Sequence, residues 1–591
     1  MKPDPFTRAA NSGDLVGQGP FALSADGVDI AVVRRETGWR VFQGRCPHQG
    51  ALLGEGEIEG ESLVCRNHRW RFSLDSGQRD GGPECLASCP AIERDGALFV
   101  DVSALKGAPL RTSPTRSLDD LPGPKGLPLI GNLHQIDAKK VHLNLQAWAE
   151  QYGPVYKLRL GRRNGVAVRD PHMIGEMLRA RPETFRRSAH LDRVFSELGV
   201  KGVFNAEGDA WRSQRKLSVA ALAQRHLRQL YPNIRTVAER LKQRWRRSAE
   251  TGEALDIVDE LKRFTVDVTM LVAFGHDVNT VEQTGDVIQR ELEIILPVVN
   301  RRLFAAFPLW RFIRLPSDRR LDRALKNVRA WLGGLVDEGR ARLESEPDRA
   351  HQPANFLEAM IAAIDEDGRP FADDVIMSNL LTMLMAGEDT TAYSLAWAVH
   401  ELCDSPEWAA ALRREADEAI GASDVAKTVD VANGLTQAGA VAMETMRLPP
   451  VAPVGVFDAN TDAALGAYRI PAGTSVVILP RVPAVDRKNF VEPLAFGPQR
   501  WLEDHSATHE VSANVPFGSG PRMCPGRSLS LLEMKTLLSM LYKNFDVARA
   551  GRAEDVTELF GFTMSPAGLK VRLRARSADL VAPRREDAPA Y

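Results

Sequence analysis

The sequence predicts a multidomain protein, with an all-β domain over residues 1–103 and a mainly helical α+β domain over residues 127–577. Strand-like runs at residues 30–33, 39–42 and 97–100, separated by glycine-containing turns, predict the first domain. From residue 127 onward, apolar residues recur mainly at helical spacing, which predicts the second.

Three further segments complete this domain plan. Residues 104–126 are rich in proline and glycine and predict an extended, semi-rigid linker. Within the helical domain, runs near residues 155–158 and 165–168 predict a pair of strands. The last residues, 578–591, are expected to form a loose tail.

Composition and charge exclude several classes of protein. The chain has 591 residues, of which 44% are hydrophobic, and its 76 basic and 77 acidic side chains give a net charge of -1. This balance does not suggest a nucleic-acid or polybasic membrane partner. No apolar run approaches the ~18 residues of a membrane span, and the first residues lack the apolar core of a signal peptide. Six cysteines in so long a chain favour a reducing cytoplasm over a disulfide framework.

Two short loops in the first domain each combine a thiol with an imidazole. Cys46 and His48 stand in one loop, Cys65 and His68 in the other, and a hairpin-sized gap separates the loops. Two metal sites are compatible with this set. Structural zinc is one, although zinc modules usually follow their ligands with a short helix, whereas these surroundings are β-like. An iron–sulfur cluster is the other.

The pattern Cys-x-His followed by Cys-x-x-His resembles a Rieske [2Fe-2S] domain, over about residues 21–102. The resemblance implies that Cys46 and Cys65 hold one iron and that His48 and His68 hold the other.

Departures from the high-potential Rieske pattern indicate the low-potential ferredoxin type. Relatives of high potential carry a disulfide between the two loops, and here the matching positions are Ala51 and Asn67. Arg69-Trp70 stands where those relatives have Gly-Ser. Cys85 and Cys89 lie outside the ligand pattern and are expected to be ordinary thiols, with a third site or a local bridge as alternatives.

Near the C-terminus, residues 517–526 form a loop too rich in glycine and proline to be a strand, and apolar spacing predicts a helix over 527–542. A thiolate at Cys524 would face the positive end of that helix. A buried cysteine in a turn would be the plainest interpretation of Cys-Pro-Gly alone. The full spacing Phe-x-x-Gly-x-Arg-x-Cys-x-Gly, however, resembles the haem-binding loop of the cytochrome P450 family. The resemblance implies that Cys524 is the axial thiolate of a haem b iron, that Arg522 binds a propionate and that Phe517 lines the haem site.

Two further motifs are in register with the same family. Trp211 and Arg215 lie four apart on a predicted helix, which alone indicates only an amphipathic helix. The resemblance makes them haem propionate partners. The motif at residues 386–391 places glycine, acids and paired threonines in an apolar helix, where they are costly and where a threonine hydroxyl can open the helix locally. The resemblance implies that Thr390 holds dioxygen and that Asp389 relays protons.

A third motif has a structural role in the family. Glu444 and Arg447 lie three apart on a helix and could form a surface salt bridge. The resemblance instead places them in a buried network with Arg500. Two usual propionate contacts are absent, because Phe457 and Ala484-Val485 occupy their positions; Arg481 and Arg487 are candidate substitutes.

The resemblances together imply a Rieske ferredoxin fused to a haem-thiolate monooxygenase that inserts one atom of dioxygen into an apolar substrate. Because no Gly-x-Gly-x-x-Gly unit between a strand and a helix is present, an external NAD(P)H-dependent reductase is expected. Residues 185–204 should cover the substrate pocket. Alternatives are a Rieske ring-hydroxylating dioxygenase, a haem-thiolate isomerase or dehydratase, and a redox or haem sensor that does not consume dioxygen.

Overall fold

The computed structural model describes residues 5–576 apart from 37, 48–49, 67–68, 83, 106–115, 162, 284–286, 304, 306, 351–352, 365–367 and 503–508. The predicted ligands His48 and His68, together with Asn67 and the predicted tail, therefore lie outside the described residues.

The N-terminal region is built from short antiparallel strands, as its alternating runs and turns predict. The strands are β1 (Thr7–Asn11), β2 (Phe21–Ala25), β3 (Val28–Arg35), β4 (Gly38–Gln43), β5 (Glu57–Glu59), β6 (Ser62–Val64), β7 (Arg71–Ser73), β8 (Ser88–Cys89), β9 (Ala91–Arg94) and β10 (Ala97–Val100). They form sheets of order β2-β3-β4-β8, β1-β10-β9 and β5-β6-β7. The predicted strands at 30–33, 39–42 and 97–100 are confirmed in β3, β4 and β10.

Strand β3 is buried on both faces because it separates two apolar clusters. Ile30 and Val32 point into a cluster with β10, whereas Ala31 and Val33 point into a cluster that contains both cysteines of the metal pattern. This alternation follows from the period of two along a strand. One face of β3 thus packs against the two cysteine loops.

The large C-terminal region is mainly helical. Its helices are α1 (Val141–Tyr152), α2 (Pro171–Arg179), α3 (Ala189–Glu197), α4 (Gly208–Ala221), α5 (Gln224–Thr251), α6 (Ile257–Phe274), α7 (Val287–Leu303), α8 (Pro316–Ser345), α9 (Phe356–Ala362), α10 (Asp373–Cys403), α11 (Pro406–Ile420), α12 (Val429–Gly434), α13 (Thr436–Arg447), α14 (Arg481–Ala484) and α15 (Arg527–Asn544). Within the described residues, none of these combines the length and apolarity needed to cross a bilayer.

The strands of this region form a principal sheet and three small ones. The strands are β11 (Val155–Leu160), β12 (Arg163–Val168), β13 (Phe185–Arg187), β14 (Leu255–Asp256), β15 (Gly455–Ala459), β16 (Ala463–Leu465), β17 (Tyr468–Ile470), β18 (Ser475–Ile478), β19 (Phe545–Arg549), β20 (Thr557–Phe560), β21 (Met564–Ala567) and β22 (Lys570–Ala575). The principal sheet has the order β11-β12-β18-β15-β13. Its β11–β12 hairpin confirms the predicted strand pair.

Helix α10 runs through the middle of this region and packs against α6, α13 and α15. Leu380, Leu395 and Ala396 are among its many buried side chains, which explains why its sequence is apolar almost all round. The helix is continuous through the polar motif at residues 386–391. Its position places that motif in the same cavity as the loop at residues 517–526.

The described C-terminal part of the predicted linker is not detached from the large region. Arg116 pairs with Tyr468, and Leu121 is only 4% exposed within an apolar cluster beside β12 and β15. Lys157 donates its backbone N–H to the Pro122 carbonyl at 2.9 Å. Apolar side chains in this stretch therefore dock it onto the sheet.

Candidate functional site

The loop at residues 517–526, called the haem-type loop below, is held in a tight conformation by its backbone. The Cys524 N–H donates to the Phe517 carbonyl at 2.9 Å. Gly520 has a φ of +73°, and a Cβ there would lie 2.5 Å from the Leu178 carbonyl oxygen. Only glycine tolerates both conditions. The loop therefore delivers Cys524 to the start of α15.

Cys524 lies inside the protein and faces a large cavity. Burial raises the pKa of its thiol, while the Gly526 N–H and the nearby cations Arg215 and Arg66 favour the thiolate. A cysteine that is buried among donors and cations in this way suits ligation of a metal as a thiolate.

The cavity has a volume of about 960 Å³ and lies between α10 and the haem-type loop. Its lining includes the aromatic side chains of Phe195, Phe204 and Phe562, whose ring centroids lie 5.5 to 6.0 Å apart. Phe195 and Phe204 belong to the segment expected to cover the pocket. Phe562 comes from the turn between β20 and β21 and was not anticipated.

The polar motif of α10 faces this cavity and contacts α6. Thr390 donates its hydroxyl to the Ala386 carbonyl at 2.9 Å, the backbone hydrogen bond that its position predicts. The Thr265 hydroxyl donates to the Glu388 carbonyl at 2.8 Å, across from α6. A Cβ at Gly387 would lie 2.5 Å from Thr269 Oγ1, so glycine permits the close approach of the two helices.

Lys262 of α6 is the partner of the two acids in this motif. Its Nζ lies 3.1 Å from Asp389 Oδ1 and 3.3 Å from Glu388 Oε1. Burial disfavours the ammonium, but the carboxylates of Asp389 and Glu388 outweigh it and raise the pKa of Lys262. The lysine therefore lies within ion-pair distance of both acids, beside Thr390. Sequence reasoning missed Lys262 because it stands 127 residues before Asp389.

The predicted propionate residues occupy one side of the cavity. The Arg522 guanidinium lies 4.4 Å from the ring centroid of Trp211 and donates to Glu207 and to the Ala206 carbonyl. Burial lowers the pKa of Arg522 to about 10. Its Nε and Nη1 are buried and have no hydrogen-bond partner in the part of the chain that the structure describes.

Arg215 has a different environment from the one its motif implies. Its Nη1 donates to the Met523 carbonyl at 2.6 Å, and its Nε and Nη2 donate to the two carboxylate oxygens of Glu55, each at 3.0 Å. Glu55 belongs to the N-terminal region. Of the candidate substitutes, Arg481 pairs with Glu558 and Arg487 is exposed, and neither lines the cavity.

The fit of a haem to this cavity can be judged from its donors. A buried thiol stands at one wall, and unpartnered guanidinium nitrogens of Arg522 stand at the edge, where carboxylates would satisfy them. Much of the remaining lining is apolar, as a macrocycle and an organic substrate require. The described residues therefore fit haem.

Glu444, Arg447 and Arg500 lie together in a buried network beside the cavity. Arg447 donates from Nε and Nη2 to the Glu444 carboxylate at 2.8 and 2.7 Å, and Arg500 Nε reaches the same carboxylate at 3.2 Å. Arg447 also donates to the carbonyls of Ala484 and Pro493. The network thus ties α13 to the segment that leads into the haem-type loop.

The two cysteine loops of the N-terminal region have the same backbone design. In each, the cysteine N–H donates to the carbonyl of the fifth residue beyond it, Ala51 or Trp70, and its own carbonyl accepts from the fourth. The fourth residues, Gly50 and Arg69, both have a positive φ. Cys46 and Cys65 are 3% and 1% exposed in one shared cluster. These described ligands suit a shared metal centre.

Cys85 and Cys89 lie elsewhere in this region. Neither forms a disulfide; Cys85 is exposed and Cys89 is buried in β8. Burial raises the pKa of Cys89 to about 11, so it remains a thiol. The described residues thus contain no bridge between them, and the prediction that both are ordinary thiols stays a prediction.

The cysteine loops pack directly on the haem-type loop. Met523, the residue before Cys524, belongs to the same buried cluster as Cys46 and Cys65. Arg66, the residue after Cys65, donates from Nη2 to the Pro525 carbonyl at 3.2 Å. The residues adjacent to two predicted metal ligands are therefore in hydrogen-bond contact.

Ionic contacts secure this interface. Glu55 is 7% exposed at its side chain and binds Arg66 at 3.1 Å within its own region and Arg215 at 3.0 Å across the interface. At the edge, Arg45 donates to the Arg179 carbonyl and lies 3.5 Å from Glu183. No sequence motif signals this interface, since each contact spans more than a hundred residues.

Comparison with known proteins agrees with both halves of this description. The Cytochrome P450 family model matches residues 121–573, and the Rieske [2Fe-2S] domain model matches residues 6–91. The crystal structure of the cytochrome P450DA heme domain is similar with a TM-score of 0.69 and 22% identity, covering 77% of this chain and 98% of that chain. That similarity concerns the fold.

Two relatives illustrate the range of similar proteins. The self-sufficient cytochrome P450 monooxygenase CYP505E4 of Penicillium expansum is 25% identical over 469 residues, which cover 78% of this chain and 44% of that protein. The (+)-vincadifformine 19-hydroxylase of Catharanthus roseus is 25% identical over 498 residues, 80% of this chain and 95% of that protein. The chain thus spans less than half the length of the Penicillium relative.

These matches define an oxidoreductase with two metal-binding parts. The chain belongs to the cytochrome P450 family, and its N-terminal region is a Rieske [2Fe-2S] domain. The two assignments imply haem and a [2Fe-2S] cluster as cofactors.

Proposed function

We propose that the chain is a self-linked Rieske ferredoxin–cytochrome P450 monooxygenase. One atom of dioxygen enters a C–H or C=C bond of an apolar organic substrate, and the other leaves as water with two protons and two electrons. When bound, a thiolate-ligated haem supplies dioxygen activation and favours O–O cleavage. The observation that carries the proposal is the contact of Arg66 with the Pro525 carbonyl, which joins the two metal-binding loops.

The metal ligands follow from the positions of the predicted residues. Cys524 would hold the haem iron as a thiolate, since it lines the cavity and faces the Gly526 N–H. Cys46 and Cys65 hold one iron of the cluster in loops of matching geometry, and His48 and His68 hold the other.

In this proposal Thr390 binds dioxygen and Asp389 relays protons. The Thr390 hydroxyl donates to the Ala386 carbonyl of its own helix, and by rotating toward the cavity it would donate the same proton to dioxygen. Asp389 lies 3.1 Å from Lys262 at the contact between α6 and α10. From there it passes protons to the cavity, which it also lines. Both residues line the cavity, as their roles require.

The substrate is apolar, because part of the cavity lining is built from aromatic rings. Phe195, Phe204 and Phe562 form this part. Such a lining binds a hydrocarbon portion through burial rather than through hydrogen bonds. The apolar part of the substrate thus packs against these aromatic rings.

Electrons enter at the Rieske cluster and cross the interface that Glu55, Arg66 and Arg215 form. The path from Cys65 to Cys524 runs through the Arg66 side chain, one hydrogen bond and Pro525. An external NAD(P)H-dependent ferredoxin reductase supplies the electrons, and the cytoplasm is the expected location.

The test removes the cluster and leaves the haem in place. Cys65→Ser in the full chain should abolish haem reduction by NAD(P)H and reductase, followed through the red-shifted band of the ferrous–carbon monoxide complex. Dithionite should still produce that band. The matched control is Cys85→Ser, an exposed thiol of the same region, which should retain the native rate. Haem reduction by reductase at the native rate in Cys65→Ser would contradict the proposal.

A further inference from the structure

Two arginines that the family motifs do not include, Arg181 and Arg187, stand beside Arg522 in the cavity wall. Arg181 is only 3% exposed, and its guanidinium lies 4.4 Å from the ring centroid of Phe457. Its Nε and Nη2 are buried and have no hydrogen-bond partner among the described residues. The Phe457 ring packs against the guanidinium but does not neutralise its charge.

Arg187 extends from β13 toward the same place. Its Nε donates to the Phe204 carbonyl at 2.5 Å, and its guanidinium lies 3.6 Å from the centroid of the Phe204 ring. Burial lowers the pKa of Arg187 to about 9, and the adjacent Arg522 lowers it further while Glu207 opposes the change. Burial likewise lowers the pKa of Arg181. Both cations therefore lack sufficient anionic partners.

The charge balance of this cluster is unequal. Glu207 is the carboxylate bonded to this cluster: it accepts from the Arg522 guanidinium at 2.5 Å and from the Arg187 backbone N–H at 3.1 Å. Glu183 also acts on Arg522 but is paired with Arg212. Arg215, the fourth arginine nearby, already has Glu55 as its counter-ion. Within the described residues, two positive charges of the cluster thus face the cavity without a carboxylate. Buried cations need such partners.

We propose that Arg181 and Arg187, together with Arg522, bind the two propionate carboxylates of the haem. Two carboxylates would balance the two excess charges, and planar guanidinium groups match carboxylates through paired hydrogen bonds. In this arrangement the Rieske domain engages Arg215 through Glu55, and Arg181 and Arg187 supply cations to the haem edge. The inference rests on the proposed haem site.

The test measures whether the effect of replacing each arginine depends on the haem propionates. Arg181→Gln and Arg187→Gln are prepared in the full chain, and each is loaded with haem or with haem dimethyl ester, in which both carboxylates are blocked. The rate of haem transfer to apomyoglobin is then measured for each combination. With haem, each variant should lose its cofactor about 10- to 100-fold faster, the effect of losing a charge-assisted hydrogen bond.

With the dimethyl ester, the same variants should differ little from the native chain, since the interaction is already absent. The matched control is Arg186→Gln, because Arg186 neighbours Arg187 on β13, points to the opposite face and does not line the cavity. Arg181→Lys should lose haem more slowly than Arg181→Gln, because it keeps the positive charge. With the dimethyl ester, the two variants should lose the cofactor at the same rate.

Two outcomes would overturn the inference. Equal acceleration for haem and its ester would show that the arginines act only on folding of the wall, and no acceleration would show that they do not bind the propionates. The red-shifted carbon monoxide band of the native chain keeps this test separate from the proposed function. If that band is present and the coupling is absent, the haem site stands and the inference fails.

Discussion

Glu55→Gln should uncouple the Rieske domain from the haem domain while leaving both cofactors bound. The Glu55 carboxylate is nearly inaccessible and accepts hydrogen bonds from Arg66 and from Arg215, the latter across the interface. Glutamine keeps the shape of the side chain but loses its charge. Arg215 would then be buried in the docked arrangement without its counter-ion.

The magnitude follows from where the charge pair lies. Removing one partner of a buried pair costs about 2–5 kcal/mol. The Arg66 contact persists when the domains separate, since both residues belong to the N-terminal region, so only the Arg215 contact weakens docking. A docking loss of about 2–3 kcal/mol lowers the ratio of docked to undocked chains roughly 30- to 140-fold.

The assay is stopped-flow reduction of the haem under carbon monoxide, with NAD(P)H and reductase in excess. The rate of haem reduction should fall by up to roughly 30- to 140-fold, the loss in docked chains, while the cluster is still reduced at the native rate. Glu61→Gln is the control, since Glu61 pairs with Arg35 on the exposed surface of the same domain. Native haem reduction in Glu55→Gln would refute the claim that this docked arrangement transfers electrons.

Three other changes test individual parts of the site. Cys524→Ala should abolish the red-shifted carbon monoxide band, and a surviving band would identify another ligand. Thr390→Ala should leave haem and substrate binding intact but divert electrons to peroxide, so the yield of product per NAD(P)H should fall; an unchanged yield removes Thr390 from the mechanism. Arg447→Ala should lower the free energy of unfolding by about 3 kcal/mol, because it removes one of the two arginines bound to the buried Glu444 carboxylate and leaves the carbonyls of Ala484 and Pro493 without their donor. Denaturant unfolding measures this loss, and the exposed Arg469→Ala should show almost none.

Local patterns in the sequence predict much of the fold. Strands β3, β4 and β10 and helix α15 appear where alternation and helical spacing place them. Such elements depend on side chains a few residues apart. The positions of Cys524 and of the two cysteine loops also follow from short motifs, since each loop closes through backbone bonds between residues four or five apart.

Contacts between distant parts of the chain could not be predicted in this way. The pairing of Arg215 with Glu55, 160 residues earlier, is one such contact, and the role of Arg215 at a propionate stays a prediction. Arg181 lies over Phe457 in the cavity wall, close to the point where β13 pairs with β15. Single-sequence motifs carry no information on such pairings. The stretch at residues 116–126 was expected to be extended, yet Leu121 packs into the core of the large region.

A redox titration of both centres in one sample tests the central claim, that the Rieske cluster donates electrons to the haem. Rieske centres span roughly −150 to +300 mV, and about 59 mV changes a one-electron equilibrium tenfold. Ala51 and Arg69-Trp70, in place of the residues of high-potential relatives, favour the lower end of this range. Electron paramagnetic resonance should give a cluster midpoint potential at or below that of the substrate-bound haem. A cluster midpoint well above the haem midpoint would contradict the account, because the cluster would then retain its electron.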